Sequence, residues 1–169
     1  MRLADLLLPE FDAEMTLTRK TLERVPDDKL AWKPHDKSMS MGALATHLSN
    51  IPTWAVLTLT KDTFDMAPAG GPPQKVPELH SRAEILAKFD MNVGAAHDAI
   101  AAASDELLFK PWSLLMTGKV MLTLPRLNCL RSFVINHTVH HRAQLGVFLR
   151  LNNIPVPSIY GPSADESPF

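Results

Sequence analysis

Four long stretches of the chain repeat apolar residues at steps of three or four, and this helical period limits the fold more strongly than any other feature of the sequence. The pattern predicts helices over residues 3–25, 40–60, 81–103 and 125–151. Pro52 is expected to kink the second helix, because proline lacks the backbone N–H that the helical ladder needs. Helices of this length bury their apolar faces against one another, which predicts an all-α fold, a four-helix bundle with long connections.

The segments outside the predicted helices differ in composition. Residues 63–80 are rich in proline and glycine and indicate a loop, whereas residues 110–125 place a Thr-Gly pair between alternating residues and allow an extended excursion or a small hairpin. Residues 1–152 are expected to form a single domain, since a chain of 169 residues is long enough for one sizeable core. The Pro-rich residues 153–169 are expected to form a tail that lies over the surface or is partly disordered.

Charge and cysteine content narrow the class of protein. The net charge is −1 and no stretch approaches the roughly 20 apolar residues of a membrane span, so neither nucleic acid nor a membrane is an expected partner. A single cysteine fits a reducing compartment. We therefore expect a soluble, cytoplasmic protein.

The charges are unevenly distributed along the chain. Residues 107–164 contain no Asp or Glu, although several Lys and Arg residues lie there. Two interpretations remain open. These cations pair with the acidic first helix, as on an ordinary mixed-charge surface, or they present a positive surface to an anionic small-molecule ligand.

Three histidines lie within five positions of the last predicted helix, at His137, His140 and His141. A spacing of four places His137 and His141 on one helical face, where two imidazoles can bind a single divalent ion, and the spacing alone would also admit His140. Such a site needs a third ligand. His47 is the best candidate because it shares the apolar stripe of the second helix, although a histidine in that position is more often a hydrogen-bonded core residue.

Two stretches of the chain resemble the DinB/YfiT-like superfamily of metalloenzymes: WKPHDKSMSMGALATHLSN and NHTVHHRAQLGVFLRLNNIPVP. The resemblance implies a bundle of up-down-down-up topology, a metal site and a homodimer. The positions that match the three family ligands are His47, His137 and His141, whereas His140 matches none of them. The other residues that carry the resemblance are Trp32, Pro34, Ser40, Leu44, Arg142 and Gln144. Together with His140, Arg142 and Gln144 are candidates for a supporting or substrate-binding role.

Three neutral imidazoles leave a divalent ion with an open position, which is typical of a catalytic site, and zinc and nickel both suit nitrogen ligands. By resemblance, the ion would activate a low-molecular-weight thiol for transfer to, or isomerisation of, a small electrophile. Arg131, Arg142 or Arg150 would then be offered to a carboxylate of the thiol. The alternatives are a non-catalytic metal-binding bundle with a structural or stress-related role, and a metal-dependent hydrolase, for which the last helix supplies no carboxylate base.

Overall fold

The computed structural model describes residues 1–71 and 76–167, and most of them are helical. The α-helices are α1 (Leu3–Leu22), α2 (Met41–Asn50), α3 (Thr53–Thr60), α4 (Arg82–Ala102), α5 (Asp105–Phe109), α6 (Arg126–Cys129) and α7 (His137–Leu151). The strands are β1 (Thr63–Asp65), β2 (Pro111–Met116) and β3 (Lys119–Pro125). One 3₁₀ turn, Asp27–Lys29, follows α1, and a π-helical segment, Leu130–Asn136, joins α6 to α7. Within these ranges no helix combines the length and the apolar character needed to cross a membrane.

Local sequence signals explain where several helices begin and end. The Ser40 hydroxyl accepts a hydrogen bond from the backbone N–H of Ala43 at 2.9 Å and so caps α2. The Ser81 hydroxyl accepts one from the N–H of Glu84 at 3.1 Å, which confirms the predicted start of α4. The predicted second helix is interrupted at Pro52, and its two parts are α2 and α3.

The apolar faces of the helices meet in one core. Helix α1 packs against α4 and α7, α2 packs against the same two helices, and α3 packs against α4 and the π-helical segment. Each large side chain that this packing buries contributes about 1.5–3 kcal/mol to folding. Among the fully buried residues are Phe11, Leu48, Phe89, Leu130 and Leu145.

The fold is mostly helical, as expected, but a three-stranded sheet in the order β1-β2-β3 shows that it is not all-α. Strands β2 and β3 form the antiparallel hairpin that the Thr-Gly pair predicts, with positive φ angles at Thr117 (50°) and Gly118 (76°) in its turn. Strand β1 runs parallel to β2 and lies inside the predicted loop. A strand of three residues is too short to show a period, and it forms here by pairing with the hairpin.

The last predicted helix is not a uniform α-helix. Its central residues, 130–136, form wider π-helical turns, while the backbone remains helical at both joins. The apolar pattern gives no warning of this change, because a π turn alters hydrogen bonding rather than composition. The segment ends directly before His137.

The tail that follows α7 lies against the surface in its described part, residues 153–167. The Tyr160 hydroxyl donates to the Glu14 carboxylate on α1 at 2.8 Å, and Arg24 pairs with Glu166. Arg150 on α7 pairs with Asp165. Of the two expectations for the tail, the surface position therefore applies to these residues.

Candidate metal centre

Two helices bring three histidines together. His47 lies on the inward apolar face of α2 with Leu44 and Leu48, and His137 and His141 lie one turn apart at the start of α7. Because α2 packs against α7, the rings meet, with centroid separations of 4.6 to 5.0 Å. One nitrogen from each ring lies within 4.8 Å of the other two, so the three could hold a divalent metal ion.

The nitrogen separations fit such an ion. The Nε2 atoms of His47 and His137 are 3.3 Å apart, and those of His137 and His141 are 2.8 Å apart. Two nitrogens at 2.0–2.1 Å from zinc lie about 3.3 Å apart at the tetrahedral angle and about 2.9 Å apart at a right angle. The three imidazoles therefore suit a divalent metal ion in both their chemistry and their spacing.

Burial keeps the three rings in the form that binds metal. Burial lowers the pKa of His47 from 6.5 to about 4, with the neighbouring imidazoles of His141 and His137 as lesser causes. Burial also lowers the pKa of His137 and of His141. All three rings are therefore neutral at pH 7, and each has a lone pair to offer.

Hydrogen bonds at the far side of two rings turn their Nε2 atoms towards one another. The Nδ1–H of His141 donates to Oε1 of Gln144 at 2.7 Å. The ring of His137 is hydrogen-bonded to the backbone of Phe133 in the π-helical segment, which raises its pKa against the effect of burial. The backbone N–H of His137 donates to the carbonyl of Val134. These contacts assign the tautomers and leave both Nε2 lone pairs for a metal.

His140 and Gln144 both lie beside His141, outside the set of converging nitrogens. The Nε2 group of Gln144 donates to Nε2 of His140 at 3.2 Å, and the His140 ring centroid is 4.8 Å from that of His141. A chain of hydrogen bonds therefore runs from His141 through Gln144 to His140.

Arg142 is placed elsewhere. A step of one residue turns it about 100° around the helix from His141, so that its side chain faces α1. There it is buried and pairs with Glu14 at 2.7 Å, donates to the Thr18 hydroxyl at 3.2 Å and donates to the Tyr160 hydroxyl at 2.6 Å. The described contacts of Arg142 include none with the three histidines, so the structure does not bring it to the cluster, and its supporting or substrate-binding role stays a prediction.

The other two arginines considered for a carboxylate ligand are also ion-paired. Arg131 contacts Glu10 on α1 at 2.8 Å, and Arg150 contacts Asp165 in the tail. Pairing with the acidic first helix, one of the two interpretations of the charge pattern, therefore describes Arg131 and Arg142.

Cavities open on both sides of the histidines. A cavity of about 320 Å³ is lined on one side by His141, Gln144 and Ser38. On the other side, cavities of about 230 and 190 Å³ share His47 and Asn50. The smaller of these is also lined by Glu78. This carboxylate lies in the predicted loop and was not among the site residues predicted from the sequence. A further cavity of about 380 Å³ lies on the far face of α7 beneath the tail, and its described lining contains no histidine.

Comparison with known proteins finds relatives both by sequence and by fold. The sequence profile of the DinB superfamily matches residues 10–145. The protein YrdA of Bacillus subtilis (strain 168) is 26% identical over 164 residues, which cover 96% of this chain and 90% of YrdA. The crystal structure of a DinB-like protein from Bacillus cereus ATCC 10987 matches with a TM-score of 0.70 at 22% identity, over 90% of this chain and 95% of that one. The DinB-like protein YjoA of Bacillus subtilis matches with a TM-score of 0.68 at 16% identity, over 91% and 97%.

Proposed function

The chain belongs to the DinB superfamily, and we propose that it is a metal-dependent enzyme in which a divalent ion on His47, His137 and His141 activates a low-molecular-weight thiol for transfer to, or isomerisation of, a small electrophile. The observation that supports this most directly is the convergence of three neutral imidazoles. Within the described residues no fourth His, Cys, Asp or Glu joins the cluster. A structural zinc site is usually closed by four protein groups, whereas a catalytic site keeps a position open.

The thiol has to come from outside the chain. Cys129 is the single cysteine and is fully buried, and burial raises the pKa of its thiol to about 11. When bound, zinc or nickel would supply Lewis acidity that holds an added thiol as thiolate near neutral pH. The residues of the chain hold the ligands in place: Gln144 orients His141, and the Phe133 backbone orients His137. The cavity beside Gln144 offers room for the thiol.

A spectroscopic titration tests the proposal. Mercaptoethanol added at pH 7 to the cobalt-substituted protein is expected to produce a sulfur-to-cobalt charge-transfer band in the near ultraviolet. Ethylene glycol, the oxygen analogue, should produce none. The zinc–sulfur distance by X-ray absorption should be about 2.3 Å. An unchanged spectrum, together with a lower melting temperature for His47→Ala, would favour the non-catalytic structural role.

A metal-dependent hydrolase is the second candidate, and Glu78 is the observation that favours it. Its carboxylate accepts a hydrogen bond from the Ser40 hydroxyl at 2.9 Å and lines the cavity that His47 also lines. A carboxylate beside a metal can serve as the general base for water. Glu78→Gln separates the two functions, because it should remove hydrolysis of an activated ester and leave the thiol band of the cobalt protein unchanged.

The neutral state of His47 makes the metal-free protein sensitive to acid. Since its folded pKa is about 4 and its ordinary value is 6.5, the unfolded chain takes up the proton first, and stability falls as the pH drops from 6.5 towards 4. The slope is at most about 1.4 kcal/mol per pH unit for each such group and smaller for a half-buried ring. In chelator, the urea midpoint should fall more between pH 7 and pH 5 for the wild type than for His47→Gln. Equal losses would place the His47 ring in solvent.

We also propose a homodimer with the up-down-down-up bundle of this superfamily. Helices α1 and α2 each pack on both α4 and α7, as such a bundle requires. Val147 and Leu151 lie four residues apart on the outer face of α7 and are 57% and 59% exposed, which leaves apolar surface for a second copy. Light scattering should give twice the chain mass of 18.7 kDa, and a value of 18.7 kDa at micromolar concentration would exclude the dimer.

A further inference from the structure

The cavity of about 230 Å³ on the His47 side has an aromatic wall. It lies where Pro52 turns the chain from α2 into α3, next to β1. Trp54 of α3 and Phe64 of β1 both line it, with ring centroids 5.5 Å apart and ring planes at 73°. Behind them, the ring centroid of Trp54 lies 6.3 Å from that of the fully buried Trp112 and 6.1 Å from that of Phe133. These contacts support the wall from behind and hold it rigid.

The cavity is continuous with the histidine cluster through one residue. His47 lines the cavity, and its Nε2 atom is 3.3 Å from Nε2 of His137. A molecule in the cavity would therefore lie against the ring that contributes to the metal site. Phe133, which supports the aromatic wall, also supplies the backbone group that orients His137.

The polar groups of the cavity favour an uncharged occupant. Apart from His47, its described lining residues carry no ionisable group. One N–H of the Asn50 amide donates to the carbonyl of Thr46 at 2.8 Å, and the Thr53 hydroxyl donates to the carbonyl of Asn50 at 2.7 Å, which leaves these two side chains one N–H to offer a ligand. The remaining lining side chains are apolar and include Ile51, Leu57 and Met66. Away from the metal position, a carboxylate or phosphate among these side chains would lose its water without gaining a charged partner.

From the aromatic wall, the contact with His47 and the absence of a charged partner in the described lining, we propose that this cavity binds the aromatic body of an uncharged electrophile. The assignment rests on the proposed thiol transfer and names the class of its second substrate. With an aryl halide, the thiolate sulfur attacks the ring carbon and forms a carbon–sulfur bond. The carbon–halogen bond then breaks, the halide leaves with the electron pair, and the thiol proton passes to solvent.

Binding to the zinc-loaded protein tests the cavity without requiring turnover. By isothermal titration calorimetry, naphthalene-carboxamide should bind at least tenfold more tightly than the matched anion, naphthalene-carboxylate. Leu57→Trp fills the cavity and should weaken carboxamide binding at least tenfold, whereas Thr60→Trp, on the exposed side of the same helix, should change it less than twofold. Thr53→Lys, which adds a cation to the lining, should narrow the preference for the carboxamide. Equal or tighter binding of the carboxylate, or no effect of Leu57→Trp in a folded protein, overturns the assignment.

A second measurement separates the cavity from the reaction. With mercaptoethanol and chlorodinitrobenzene, the wild type should form the thioether and release chloride, and Leu57→Trp should slow this at least tenfold. Thr60→Trp should keep the wild-type rate. Carboxamide binding with the expected variant effects but no turnover with any thiol supports the aromatic cavity and overturns thiol transfer. Turnover that Leu57→Trp leaves unchanged supports thiol transfer and overturns the cavity as its substrate site.

Discussion

His137→Ala is expected to lower the affinity of the protein for zinc by more than about 100-fold, the upper end of the loss that follows removal of a group merely supporting a ligand. The Nε2 atom of His137 is 2.8 Å from that of His141 and 3.3 Å from that of His47. Its removal therefore leaves the ion with only two protein ligands, one on each helix. His47→Ala and His141→Ala should cause losses of the same order. Competition with a zinc-binding dye measures all three.

A series of variants with graded expected losses distinguishes the metal ligands from the residues that support them. Gln144→Ala should cost about 10- to 100-fold in zinc affinity, because His141 loses the partner of its Nδ1–H while keeping its Nε2 atom. His140→Ala should fall at or below that range, since His140 reaches His141 through Gln144. His97→Ala is the matched control, because this exposed histidine pairs with Asp12 on the far side of the bundle core. A larger loss for His140→Ala than for His137→Ala would reassign the ligands.

Glu14→Ala is expected to lower the free energy of unfolding by about 3–5 kcal/mol, because it leaves the buried guanidinium of Arg142 without its counter-ion. The side chain of Arg142 is 3% exposed and that of Glu14 is 13% exposed, so water cannot replace the lost partner. The Tyr160 hydroxyl loses an acceptor as well. Urea denaturation of the zinc-free protein measures the effect.

The double variant Glu14→Leu with Arg142→Met is the control for this ion pair. Replacing both charges by apolar side chains should restore most of the lost stability, since the desolvation cost of both ions disappears. Zinc affinity should change less than about threefold in every member of this set, because Arg142 faces α1 whereas His137 and His141 face α2. A large loss of zinc affinity on Glu14→Ala would return Arg142 to the metal site.

Much of the fold follows from signals that are local in the sequence. The four helical regions follow from apolar periodicity, the start of α4 from Ser81, and the hairpin turn from Thr117 and Gly118. The break at Pro52 follows from the chemistry of proline alone. What could not be predicted depends on partners distant in the chain: β1 exists only because β2 lies beside it, and the side of the bundle that Arg142 faces depends on Glu14.

The candidate site shows the same division. The spacing of His137 and His141 and the apolar stripe around His47 predict three converging rings, whereas the partners that orient those rings are less visible. A backbone carbonyl has no sequence signature, so the contact between Phe133 and His137 could not be foreseen. Glu78 and Phe64 come from a connection and a short strand without a helical period, and only folding places them, together with Trp54 of α3, beside His47.

The π-helical segment holds extra chain within a continuous helical stretch. In an α-helix, each residue added or removed rotates everything beyond it by about 100°. A π turn closes i→i+5 hydrogen bonds and therefore holds about one residue more than an α turn. A deletion of one residue between Leu130 and Asn136 could therefore tighten the wide turns to ordinary α-helical ones and leave His137 and His141 directed at His47. The wide turns thus act as a reserve of chain length that can be lost without changing the direction in which two ligands on α7 point.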